Sequence, residues 1–378
     1  MRSIIGLLLT YLLLGSCVAA QSGVLLGLET SSTTQGGDTE EFKTIHPPEY
    51  QTLWIGPAAD GKLSVLASIP QLVVPRRDGF WHVGVKQVCE MGPSAALAGD
   101  FPNESLLQVV WAAPVTAAAT VQQSTPCKPH KPEDYAPPFM RSEEDKNKIS
   151  QCGFELVNLR FVSPEILSAS DYSSQSGGCE PRGGRDSSSS SVRNFDSDQP
   201  LSFSQLLGPA AGKAYQAALP KQARDQMDQE CGEPDRTSDT AWEVSHQHGR
   251  WYAAVDQNLG NSDCSVRAPI NFALPASVAG DRVPSFDWKL MKSKVEGLKD
   301  VFVSPASDIL IAVTASELRF YELTGGLPGR LLLTLPAKPV VMAQWAKGAH
   351  VADWTAQMGK LALQQLPEPV ANVKPNSN

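Results

Sequence analysis

A hairpin pattern that occurs twice constrains this chain more than any other feature. Residues 74–87, VPRRDGFWHVGVKQ, align without gaps on residues 244–257, VSHQHGRWYAAVDQ, and share Val, Gly, Trp, Val and Gln. In both, a glycine follows a polar turn and leads into a strand of alternating apolar side chains. Asp78-Gly79 is a strong hairpin signal, because a tight primed turn needs positive φ, which glycine adopts without strain. A second echo relates Phe161-Val162-Ser163-Pro164 to Phe302-Val303-Ser304-Pro305, at a different separation from the first, so the chain is not a rigid repeat. The 29 glycines and 29 prolines favour many turns over long helices. The expected fold is α+β: a body rich in antiparallel sheet, with a few packed helices and room for two diverged lobes. An all-β, β-propeller-like arrangement is the alternative.

The periodicity elsewhere fits this picture. Residues 202–227 read as helix, with Leu206, Ala210, Ala211, Tyr215 and Ala218 on one face and Pro220 as a break. A short helix is expected near 288–295. Strand-like runs occupy 301–303, 309–313, 317–323, 331–335 and 340–345. Val351, Trp354, Met358 and Leu361 mark a final amphipathic helix.

The first residues read as an export signal: Met1-Arg2, an apolar run from Ile4 to Leu14, then small residues. That run is shorter than the roughly 20 apolar residues a bilayer-spanning helix needs. Leu14-Gly15-Ser16-Cys17 resembles a lipoprotein cleavage box, with Cys17 as the lipidated residue, while Val18-Ala19-Ala20 equally fits ordinary signal peptidase. Residues 21–45 then read as a flexible tether, because Glu29 to Glu41 is too polar to offset its ordering entropy by burial. The body divides into a sheet-rich lobe over 46–200, with loops at 122–148 and 173–191, and an α+β lobe over 201–366. A loose tail spans 367–378.

The formal net charge is −8, and one unit more negative once Arg2 leaves with the signal. Such a body repels phosphate backbones, so nucleic acid is not an expected partner. Cys89, Cys127, Cys152, Cys179, Cys231 and Cys264 remain after either cleavage, enough for up to three disulfides in an oxidising compartment, with no connectivity preferred.

No nucleophile elbow, metalloprotease helix or phosphate loop occurs. No catalytic residue is assigned and no cofactor is expected. His246 and His248 would share one side of an extended strand, but no third ligand stands out, so they are weak metal candidates. Trp81 and Trp251, just after equivalent turns, are the candidate ligand surface, with Arg76 and Arg77 at its rim.

Residues 161–207 resemble a known extracytoplasmic domain. Ser163 to Ser168, Gly177-Gly178, Asn194-Phe195-Asp196 and Pro200-Leu201-Ser202-Phe203 are similar to the strand, turn, strand and helix-start motifs of the domain shared by lysozyme-sensing anti-sigma factors and accessory modules of polysaccharide deacetylases. Where that family carries Ala-His, this chain carries Cys179-Glu180. The resemblance implies an α+β, envelope-facing binding module. The functional expectation is an exported, lipid-anchored bacterial envelope protein, facing the periplasm or exterior, that binds or scaffolds a protein or glycan. A soluble secreted form is the alternative location. A propeller-like interaction module and an envelope hydrolase are the alternative functions; the hydrolase requires a cleft with convergent acids or histidines of perturbed pKa.

Overall fold

The computed structural model describes residues 22–31, 47–92, 103–115, 150–175, 186–195, 197, 199–219, 234–259, 265–280 and 286–364. Strands dominate, in four sheets. The first holds β1 (Gly23–Ser31), β2 (Glu49–Pro57), β3 (Leu63–Ile69) and the last strand of the chain, β17 (Val340–Ala346), in the order β17-β1-β2-β3. The second runs in sequence through β4 (Leu72–Arg76), β5 (Gly79–Gly92), β6 (Asn103–Pro114), β7 (Ser150–Val162), β8 (Ile166–Gln175) and β9 (Asp186–Asn194). Its neighbours are antiparallel except β6 and β7, which pair parallel. The third comprises β10 (Trp242–Gln247), β11 (Arg250–Asn258) and β12 (Ser265–Pro269). The fourth comprises β13 (Asp300–Val303), β14 (Ile309–Val313), β15 (Glu317–Thr324) and β16 (Leu327–Pro336).

The four sheets are arranged like the blades of a four-bladed propeller. Central strands read as continuous apolar runs because each feeds two cores. In β14, Ile309 and Ile311 enter the core shared with the first sheet, while Leu310 and Ala312 enter the core beneath a short helix. In β1, Val24, Leu26 and Leu28 face the fourth sheet and Leu25 faces the second. A further core lies between the second and third sheets, around Phe161, Trp242 and Val255. β17 closes the ring: it pairs with β1 from Gly23↔Ala346 to Leu28↔Val340.

Helices are few among the described residues. α1 (Phe203–Leu207) and α2 (Pro209–Ala218) occupy the first part of the expected helical stretch, of which 220–227 lie outside the described residues, and are separate, because Gly208 sits at φ +89° between them. α3 (Ala276–Ala279) and α4 (Trp288–Lys294) are single turns or little more; α5 (Ala349–Gln364) packs on the first sheet. None of the described helices is long and apolar enough to cross a membrane. The propeller-like alternative therefore fits better than a helix-backed α+β body.

Two expectations are corrected. Residues 23–31, assigned to the tether, form β1 in the middle of a sheet, with Leu25 and Leu26 fully buried; the polar composition of 29–41 obscured the apolar run before it. The rest of the tether, 32–46, lies outside the described residues. The serine run 186–191, assigned to a loop, forms β9. The Ser190 and Ser191 hydroxyls meet Asp256 and Asp171, a compensation that low-complexity composition does not reveal. The loop at 122–148, Cys17 and the tail from 367 lie outside the described residues, as do the side chains of all six candidate disulfide cysteines. The expected lobes, 46–200 and 201–366, share a ring closed by β17 on β1.

Candidate functional site

Residues on or next to β7, β10, β13 and β17, one strand from each sheet, line two clefts. Asn158, Glu243, Asp300 and Pro339 border a cleft of about 620 Å³ at one mouth. Residues further along the same chain segments, Pro164, Gly249, Val303 and Trp345, border a second cleft of about 370 Å³ at the other. His246, Trp251 and Phe302 line both, so these three rings form the partition between them.

The partition is tightly packed. The His246 ring stacks on Phe302 with centroids 4.1 Å apart and meets Trp251 edge-on at 4.5 Å; Trp251 in turn meets Phe161 at 4.6 Å. His246 Nδ1 lies 2.7 Å from Asp300 Oδ2, and the other Asp300 oxygen accepts the backbone N–H groups of Gly249 and Val301, each at 2.8 Å. The turn that presents this pair has positive φ at both central residues, His248 at 51° and Gly249 at 76°, the backbone of a primed hairpin turn. A Cβ at residue 249 would come within 2.4 Å of Phe286 and 2.9 Å of Val301, so glycine lets the hairpin turn pack against both.

The first cleft is polar, and its charges are largely paired within the protein. Asp171 holds Arg193 and accepts from Ser191. Glu243 is engaged on both oxygens: Arg267 and Ser245 donate to Oε1, and Ser190 approaches Oε2 at 3.4 Å. The same Ser190 hydroxyl is 2.5 Å from Asp256 Oδ2, so it keeps the two carboxylate oxygens within about 6 Å of each other. One hydroxyl has one proton to donate. A proton on Asp256, donated to Ser190 Oγ, would free the serine proton for Glu243. Burial indeed raises the Asp256 carboxyl above its ordinary range, outweighing the Ser190 hydrogen bond. Burial also raises Asp171 despite the nearby Arg193. Asp171 Oδ1 and Asn158 Oδ1 are enclosed in the wall of this cleft without a described partner.

The structure separates the candidates that the sequence grouped. Trp251 and His246 reach the axis. Trp81 does not: its indole donates to Asp78 at 3.1 Å and lies under the Arg76 guanidinium, 4.4 Å from the ring centre. Arg77 sits at the rim of the second cleft, exposed, 3.6 Å from Glu165. His248 points away from His246 and packs on Trp288 at 4.3 Å, so the two imidazoles do not converge, and no cluster of three metal-ligating groups exists among the described residues. Asp171, Ser190, Glu243, Asp256 and Asp300 were missed. The one trace in the sequence was the hairpin echo, where shared scaffold residues flank differing ones: His246 and Asp256 stand where the first copy has Arg76 and Lys86.

Compared with known proteins, the chain matches no protein family and no curated relative.

Proposed function

We propose that this is an exported, lipid-anchored envelope protein whose ring of sheets, read as a four-bladed β-propeller, holds an uncharged, hydroxyl-rich ligand of glycan type at the polar mouth of its axis. The observation that carries the reading is the pairing of that mouth with its floor. Serine, asparagine and acid side chains from the second and third sheets surround the indole of Trp251; the Asp171 and Glu243 charges are already taken up by Arg193 and Arg267, and Asp300 is held by His246 and two backbone N–H groups. A sugar presents the same combination, many hydroxyls on the rim of a ring with an apolar face, and aromatic side chains bury that face at low entropic cost. A strongly charged ligand would have to break the internal pairs.

The hydrolase alternative is supported by the raised carboxyls but needs a second acid free to react, and Glu243 is held on Oε1 by Arg267 and Ser245. The net negative charge favours neither nucleic acid nor anionic lipid as partner. Two measurements test the proposal. Intact mass of the membrane fraction should show a lipid on Cys17; a free N-terminus at Gln21 would remove the anchor. Titration with maltotetraose, cellotetraose and an N-acetylglucosamine tetramer should perturb tryptophan fluorescence for at least one. Trp251→Ala should weaken that binding about tenfold, with Trp81→Ala unchanged.

A further inference from the structure

We infer that His246 determines which ligands the site takes, by offering Nε2 as a bare hydrogen-bond acceptor for a ligand hydroxyl at the waist of the axis. The inference rests on the glycan reading of the polar mouth and adds to it the atom that selects. Asp300 is the starting point. Its Oδ1 already accepts two backbone N–H groups, from Gly249 and Val301, and its Oδ2 faces His246 Nδ1 at 2.7 Å. A carboxylate so placed only accepts, so Nδ1 must carry the ring proton, and in the neutral ring Nε2 is left as the acceptor.

The ring cannot turn to escape this assignment. Phe302 covers one face at 4.1 Å with an interplanar angle of 15°, and Trp251 abuts its edge. The side chain is 7% exposed. Nε2 has no hydrogen-bond partner among the described residues, and the His246 ring lines both clefts. An immobilised acceptor beside an indole face, with the neighbouring carboxylates occupied, discriminates a ligand that brings a hydroxyl from one in which that hydroxyl is methylated or missing, because the mismatched ligand leaves Nε2 dry and unpaired.

Asp300→Asn inverts the acceptor with little other change. The amide oxygen keeps the two backbone N–H groups, and the amide nitrogen donates to Nδ1, which moves the ring proton to Nε2. Nitrogen-15 NMR of the imidazole reads this directly: Nδ1 of the wild type should be protonated and Nε2 bare, and Asp300→Asn should exchange the two. The oligosaccharide bound by the wild type, among the three tetramers above, should then bind at least tenfold more weakly to Asp300→Asn and to His246→Phe, which keeps the ring stack. Equal affinity in Asp300→Asn with an exchanged tautomer overturns the role of His246 and leaves the glycan reading standing. A protonated Nε2 in the neutral wild-type ring also overturns it. If none of the three tetramers binds the wild type, both readings fall. Should Asp300→Asn not fold, His246→Phe and His246→Gln carry the affinity comparison, and unchanged binding in both overturns the inference.

Discussion

Asp256 is the residue whose environment departs furthest from what its neighbours in sequence suggest. It lies on β11 between Val255 and Gln257, a position that reads as the solvent face of a hairpin, yet it meets the Ser190 hydroxyl of another sheet. Burial raises its folded pKa above the ordinary 3.8, so the folded protein binds this proton more tightly than the unfolded chain does. The sign follows from linkage: stability falls as pH rises from the ordinary value through the raised one, and stays lower above it. Asp171 acts in the same sense. Asp256→Asn, which keeps a hydrogen bond to Ser190 and carries no charge, should therefore gain stability over the wild type at pH 7 and lose that advantage near pH 3.5. Urea midpoints at the two pH values measure it; an advantage that is larger in acid would show that Asp256 is a stabilised carboxylate. Tyr215 makes a milder case. Burial pushes its phenol up to about 12, and Gln257 donates to its oxygen, so it stays a neutral core hydroxyl.

Among the elements, α5 shows how a helix joins a sheet structure without contributing to its ladders. Val351, Met358 and Leu361 point into the core between the first and second sheets, the stripe its sequence announces. Trp354 meets Trp54 at 5.7 Å and Phe80 at 5.6 Å, both edge-on, and the Trp54 indole donates to Thr355 at 3.0 Å. One helix side chain thus bridges two sheets. Trp354→Ala should destabilise the protein by about 3 kcal/mol, the usual loss for a large aromatic removed from a packed site, seen as a lower urea midpoint at unchanged slope. β9 makes the complementary point. Its serines carry no apolar pattern, and it is a strand because Ser190 and Ser191 find Asp256 and Asp171 across sheets and strands. A reading based on hydrophobic periodicity had no means of detecting it.

At the scale of the molecule, closure by β17 decides whether the ring exists. Its six register pairs with β1 join positions more than 300 residues apart, and just before β1 Ser22 N donates at 2.7 Å to Asp308, between β13 and β14 of the fourth sheet. A chain ending at residue 338 would leave β1 as an open edge and expose both cores that β1 feeds. It should lose the single cooperative unfolding transition, monitored by tryptophan fluorescence against urea, and aggregate. A sharp transition in that truncated chain would mean that the sheets are stable without the ring.

The sequence alone determined the local elements: hairpins at the two Trp motifs, the strands from 301 to 345, the end of α2 ahead of Pro220 and the final helix. Those signals are local, since glycine at a turn or apolar spacing along a strand acts over a few residues. Only the tertiary structure decided that residues 23–31 are a central strand, that serines form β9 and that His246 and Trp251 belong to the site while Trp81 does not. Each of these depends on a partner supplied by a distant strand: β17 for β1, Asp256 for Ser190, Asp300 for His246. Hydrogen-bond satisfaction across such separations is set by how the sheets stand around one another, and the order of residues along the chain does not encode it in any short pattern.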